Sequence, residues 1–161
     1  MGSILIAYAS KSGTAQDAAE RLARLLSDSD LVDLTTTKPA LENYQAAIIG
    51  GGVRMGSVHK DTKRFIDANA AQLASMKAAY FITNCFVDNA DEILNKMLPE
   101  QLKNQAVFAG SLGGRMDINA LKGLDKAIAK MVSKALDEGQ QVNNDIDEAA
   151  LQDLVSRFVQ A

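Results

Sequence analysis

The sequence predicts an α/β fold: a three-layer sandwich with a five-stranded parallel sheet in the order 2-1-3-4-5 and helices on both faces. Three observations predict it. Short apolar runs alternate along the chain with stretches of helical period, the pattern of repeated β-α-β units. The run Ala46-Ala47-Ile48-Ile49 is continuously apolar rather than alternating, as a strand covered on both faces is. Right-handed crossovers leave few topologies, and five strands then fit a sheet whose order reverses beside the first strand. In such a sheet the ligand sits at the carboxyl ends of strands one, three and four.

Each element has its own signal. Ile4 to Ala9 is the first strand, and the helix after it carries Ala15, Ala19, Leu22 and Leu26 on one face. Leu31-Val32-Asp33-Leu34 is a short second strand, followed by a polar turn from Thr35 to Ala40 that holds Pro39. The third strand, Ala46 to Ile49, ends in Gly50-Gly51-Gly52. A helix from about Lys60 places Phe65, Ile66, Asn69 and Leu73 on one side. Ala78 to Ile82 is the fourth strand, and a short helix with Ile93, Leu94, Met97 and Leu98 stops before Pro99. Ala106 to Gly110 is the fifth. A long helix with Leu121, Leu124, Ile128, Met131, Val132 and Leu136 runs to Gly139. A last helix, capped by Asp145 or Asp147, presents Leu151, Leu154, Val155 and Phe158.

The 161 residues fit one domain, 1–161, with a sizeable core. A net charge of −3 argues against nucleic acid or an anionic membrane as the main partner. No apolar run approaches the ~20 residues needed to span a bilayer, and no signal peptide is visible, so the expected location is cytoplasmic. Cys85 is the single cysteine, which rules out an intramolecular disulfide and a cysteine-only metal site.

The candidate site is three loops at the carboxyl ends of strands one, three and four: Ser10 to Ala15, Gly50 to His59, and Thr83 to Asp91. In the first, Ser10-Lys11-Ser12-Gly13-Thr14-Ala15 joins a strand to a helix. The helix N-terminus offers unpaired backbone N–H groups and a partial positive charge. Hydroxyls add donors, Lys11 adds a full charge, and Gly13 lets the backbone come close. That combination is a cradle for the phosphate of a cofactor; an ordinary helix start capped by Ser10 or Ser12 is the alternative. Gly51 to Ser57 has the glycine spacing of a nucleotide-binding P-loop but lacks its lysine. The glycines of Gly50, Gly52 and Gly56 miss the dinucleotide fingerprint by one position and follow the wrong strand.

A strand, then Ser10-x-Ser12-Gly13-x, then a helix resembles the flavodoxin phosphate loop, with Ala15 where a threonine is usual. The chain is similar along nearly its whole length, and more so to the flavodoxin-like protoporphyrinogen oxidases. That likeness lies in Asn43-Tyr44, in Ile48-Ile49-Gly50 followed by Val53-Arg54-x-Gly56, in His59, and in Ala109-Gly110-Ser111-Leu112. The resemblance implies a flavodoxin-like fold and non-covalent flavin mononucleotide (FMN) as cofactor. The basic and aromatic insertion frequent in that oxidase family has no counterpart here, which leaves the substrate open. With FMN bound, Gly52, Val53, Arg54, Met55 and Gly56 would flank the ring on one side, and Asn84, Cys85, Phe86 and Val87 on the other. In flavodoxins a peptide of the second loop reorients on reduction; Gly56 or Gly52 would allow it here. The chain has no Trp, so a more open ring face is expected, and Cys85 and Phe86 also read as plain packing residues.

Arg54 is the candidate modulator of the flavin potential. A positive charge ~6 Å from an anionic reduced flavin, at an effective dielectric of ~20, favours it by ~3 kcal/mol. That is roughly 120 mV for one electron. His59, Lys60, Lys63 and Arg64 would act in the same direction. The alternative is that Arg54 points to solvent or pairs with Asp61 or a phosphate. His59, the only histidine, also reads as a surface residue near a helix start. The leading reading is an FMN-dependent oxidoreductase acting on a small-molecule substrate with a quinone acceptor. The alternative is a flavodoxin-type electron carrier that binds redox protein partners. A phosphoacceptor receiver on the same architecture is discounted, because Ser10-Lys11 and Gly50-Gly51 stand where its acidic residues belong.

Overall fold

The computed structural model describes residues 3–84, 87–115 and 145–161. Strand β1 (Ile4–Ala9) leads into helix α1 (Thr14–Leu25), then strand β2 (Ser29–Asp33). A 3-10 turn at Leu41–Asn43 precedes β3 (Ala46–Arg54), which folds back on the two-residue β4 (Ser57–Val58). Helices α2 (Lys60–Ala68) and α3 (Ala70–Leu73) lead to β5 (Lys77–Thr83). Helices α4 (Ala90–Met97) and α5 (Glu100–Gln105) precede β6 (Phe108–Ser111), and α6 (Glu148–Gln160) closes the described chain. The long helix expected between Leu121 and Gly139 lies outside the described residues.

The strand order is β2-β1-β3-β5-β6, all parallel, with β4 antiparallel to β3 at one end. This is the anticipated order with one short strand added. Side chains alternate between two buried layers. Leu5, Ala7, Ile49, Tyr80 and Ile82 face Phe65, Ile66 and Leu94, while Ile6, Tyr8, Ile48 and Phe81 face Ala15, Leu22, Leu151 and Phe158. Each fully buried aliphatic chain contributes about 1.5–3 kcal/mol, so the two layers hold both helical faces to the sheet.

One expectation is corrected here, and one helix is added. Gly50 and Gly51 do not end β3, which runs on to Arg54. They are glycines because space is short, not because the backbone bends. A Cβ on Gly50 would lie 2.2 Å from the Phe81 ring, and one on Gly51 would lie 2.5 Å from Thr62 Oγ1. That hydroxyl donates to the Gly50 carbonyl at 2.9 Å, fastening α2 to the strand. Helix α4 stops before Pro99 as expected, but Pro99 also stands at the N-cap of α5, a helix the sequence reading missed. Among the described residues, no helix is long and apolar enough to cross a membrane.

Candidate functional site

The carboxyl ends of β1, β3 and β5 lie side by side at one edge, because these strands are parallel neighbours, and the strand order reverses at β1, which lies between β2 and β3. A shallow hollow opens at that edge. Its walls are Ser12 and Thr14 from the β1–α1 junction, Gly52 and Val53 from β3, Thr83 and Asn84 from β5, and Gly114 and Arg115 from the segment after β6. Three remote stretches of sequence thus converge, as the strand order requires, and a fourth joins them.

The first loop turns at Gly13, the N-cap of α1, with φ of 90° in the left-handed region. Nothing lies within 4 Å of where its Cβ would be, so the glycine serves conformation and keeps the approach open. Ser10 turns inward: its Oγ accepts from the Gly13 N–H at 2.9 Å. Ser12 Oγ and Thr14 Oγ1 stand 3.4 Å apart on the hollow side. Ala15 is fully buried against the sheet, so its methyl belongs to the core and only its backbone N–H can serve a ligand. Lys11 is exposed. The first-turn amides of Thr14, Ala15 and Gln16 have no carbonyl a turn back within the helix.

The second loop is a hairpin. Val53 pairs with Val58 and Arg54 with Ser57, and the two-residue tip is Met55-Gly56, with φ of 54° and 78°. Gly56 therefore needs the conformational freedom expected of it, but Gly51 and Gly52 do not, since both are extended. A Cβ on Gly52 would meet Thr83 Oγ1 at 3.7 Å and Ala15 Cβ at 4.0 Å, ordinary contacts, so that position is not crowded. Arg54 and Met55 are exposed, Met55 at 70%.

The basic residues expected to act with Arg54 are spread out. Lys63 Nζ reaches Asp67 at 2.9 Å and the Met97 carbonyl at 3.2 Å, and Arg64 pairs with Asp61 at 3.8 Å. His59 caps α2: its Nδ1 accepts from the Asp61 N–H at 3.1 Å.

Asn84, 4% exposed, ends the third stretch. Its N–H donates to the Gly113 carbonyl at 2.9 Å, and its Oδ1 accepts from the Ser111 hydroxyl. Cys85 and Phe86 lie outside the described residues, and Val87 opens a 3-10 turn to Asn89. Thr83, the start of the third expected loop, lines the hollow, and Gly114 and Arg115 line it without having been anticipated. The Gly113-Gly114 pair was the available signal, since two glycines just after a strand mark a close backbone approach.

Charge at the rim comes from a chain of ion pairs. Arg115 Nη2 contacts Asp17 Oδ2 at 2.7 Å, and its Nε contacts Asp145 Oδ1 at 2.8 Å. Asp17 also accepts from Arg21 Nε at 3.1 Å, and Arg21 reaches Glu148 on α6. Burial works to raise the Asp17 pKa, but the hydrogen bonds from Arg21 and Arg115 outweigh it and hold the carboxyl below its ordinary value. The Ile146 N–H, and after it Arg115, lower Asp145 in the same sense. The described lining of the hollow carries hydroxyls, an amide, backbone groups and a guanidinium, with no carboxylate. That donor set suits an anion such as a phosphate ester.

The comparisons with known proteins agree with this architecture. A stretch of 85 residues, 50% of this chain, is 28% identical to protoporphyrinogen IX dehydrogenase (quinone) of Escherichia coli strain K12. It covers 47% of that protein, so the chain spans about half the length of the curated relatives it matches. An oxidoreductase from Corynebacterium diphtheriae superposes with a TM-score of 0.53 at 15% identity, over 99% of this chain and 98% of that one. Rubredoxin:oxygen oxidoreductase of Desulfovibrio gigas superposes with a TM-score of 0.54 at 15% identity, over 84% of this chain and 36% of that one. These two likenesses establish the fold alone. The flavodoxin domain family matches residues 5–143, and the chain belongs to that family.

Proposed function

We propose that this chain is an FMN-dependent oxidoreductase whose cofactor phosphate is held at the start of α1. The carrying observation is the hollow itself: hydroxyls, first-turn amides and a guanidinium, with no carboxylate among the described lining residues, at the carboxyl edge of the sheet where the strand order reverses. Ser12 and Thr14 would donate hydroxyls to the phosphate, with the first-turn backbone N–H groups of Thr14 to Gln16. Ser10 holds the turn that aims them, and Lys11 adds charge from outside. The Gly52–Gly56 hairpin and the Asn84–Val87 segment would flank the ring, as the family resemblance implies. Arg54, next to Val53, supplies positive charge on the hairpin side and biases the potential upward. When bound, FMN supplies electron and hydride transfer. Porphyrinogen as substrate and quinone as acceptor are supported by the Escherichia coli match alone, across 50% of this chain and 47% of that protein.

One observation favours a second reading, an electron carrier that docks redox proteins. No carboxylate, histidine or thiol lines the hollow among the described residues, so no group there stands ready to move a substrate proton. Both readings are tested together. Adding FMN to the purified protein is expected to quench flavin fluorescence with a dissociation constant below high micromolar. A colourless protein and unaltered fluorescence would overturn both. Anaerobic reduction followed by a porphyrinogen and a quinone then separates them: turnover supports the enzyme, and reoxidation by redox proteins alone supports the carrier.

A further inference from the structure

Arg115 is the cation among the described residues lining the hollow, and its position is built in with care. Its backbone follows two glycines that leave no room for side chains. A Cβ on Gly113, where φ is 83°, would lie 2.5 Å from the Asp145 carbonyl oxygen, and one on Gly114 would lie 2.7 Å from the Asn84 carbonyl oxygen. The Asn84 N–H donates to the Gly113 carbonyl at 2.9 Å, and the Gly114 N–H donates to the Asp145 carbonyl at 3.0 Å. The exit of β6 is therefore pressed against the exit of β5. From that anchor the guanidinium reaches the first turns of α1, where Asp17 holds it at 2.7 Å, while Asp145 holds it from the other side at 2.8 Å. Its side chain is 41% exposed, so it sits at the rim rather than in the core.

We propose that Arg115 reads the phosphate charge, so that the site selects a phosphorylated flavin over an unphosphorylated one. The inference rests on the proposed cofactor and deepens it. The Ser12 and Thr14 hydroxyls and the start of α1 favour an anion through dipoles and partial charge, whereas the guanidinium adds a full positive charge that a riboflavin hydroxyl does not match. Two tethers, Asp17 on α1 and Asp145 in the segment before α6, hold it before a ligand arrives, so less side-chain entropy remains to be lost on binding. A guanidinium also serves several acceptors at once through its fork of N–H groups, so carboxylate tethers and a phosphate oxygen are compatible. A clamp that merely held α1 in place would act through its Asp17 contact, so Asp17→Asn would reproduce the R115Q loss of FMN. A guanidinium that reads charge predicts instead that Asp17→Asn, with Arg115 kept, retains most of the preference for FMN over riboflavin.

The test compares FMN and riboflavin by fluorescence titration against wild type, R115Q and R115K, with inorganic phosphate as a separate probe in thermal melts at constant ionic strength. R115Q is expected to weaken FMN roughly ten- to hundredfold while leaving riboflavin within about twofold. R115K, which keeps the charge but not the fork, is expected to retain part of the preference. Equal loss of both flavins, or an unchanged ratio, overturns the proposal while the FMN reading stands. Stabilisation of wild type, but not R115Q, by phosphate in a protein that binds no flavin sinks the FMN reading and leaves Arg115 as an anion site. Binding of neither FMN nor phosphate by wild type ends both. A second measurement needs no variant: FMN and phosphate are expected to shield Arg115 from phenylglyoxal, mapped by mass spectrometry, and riboflavin is not. Modification indifferent to FMN would overturn the proposal.

Discussion

Tyr80 carries a hydroxyl into the layer between the sheet and α4. It is 1% exposed, and its oxygen has no hydrogen-bond partner among the described residues. Tyr44 shows the ordinary solution, donating to Asp30 at 3.0 Å from a part-buried place. Burial pushes the Tyr80 phenol up to about 12. The unfolded chain ionises near 10, so the native state holds its proton longer. Below pH ~10 the phenol's contribution is fully present, and it is lost as pH rises through about 12. Removing the oxygen removes an unsatisfied polar group, whose burial costs about 1–3 kcal/mol. Tyr80→Phe is therefore expected to unfold at higher urea than wild type at pH 8. Its advantage should widen towards pH 11. Urea midpoints across that range measure both, and a variant less stable than wild type would mean that the hydroxyl has a partner.

The hairpin β3–β4 shows what a short element can be made to bear. Its tip puts Met55 at φ of 54°, a region that costs a bulky residue about 1 kcal/mol and that asparagine or glycine adopts readily. The chain thus holds a large apolar side chain in solvent at the edge of the hollow against its local preference. Met55→Asn is expected to raise stability by up to about 1 kcal/mol. Hydrogen exchange should read the gain locally, at the His59 amide that donates to the Gly52 carbonyl across the hairpin at 2.9 Å. A slower-exchanging His59 amide with unchanged core amides is the expected pattern; a faster one would show that Met55 is held by contacts its exposure conceals. The hairpin also marks a limit of the sequence reading. Gly50-Gly51-Gly52 looks like the end of a strand because glycine usually breaks one, yet the Phe81 ring and the Thr62 hydroxyl occupy the places of the missing side chains. Val53 and Val58 either side of Met55-Gly56 were the overlooked turn signal. Helix α5 was missed for a related reason: Pro99 serves as a stop and a start at once.

For the molecule as a whole, the strand order and the meeting of three loops were legible, because apolar continuity and crossover handedness are properties of the chain itself. The fourth stretch was not. Whether Arg115 meets Asp17 depends on how the exits of β5 and β6 press together, which no local pattern encodes. The same convergence makes the site a fastening for the fold. A ligand bound at the hollow would engage the starts and ends of several elements, which only the folded chain brings together. A ligand that binds the native state alone stabilises it by about 2.7 kcal/mol at a hundred times its dissociation constant. For a chain of this length each kcal/mol moves the melting temperature by about 2–4 °C. FMN at that excess is thus expected to raise the midpoint by about 5–11 °C, growing with the logarithm of its concentration. Differential scanning calorimetry with increasing FMN checks this. A midpoint that stays put while flavin fluorescence is quenched would mean the flavin binds outside the hollow or binds the unfolded chain equally well.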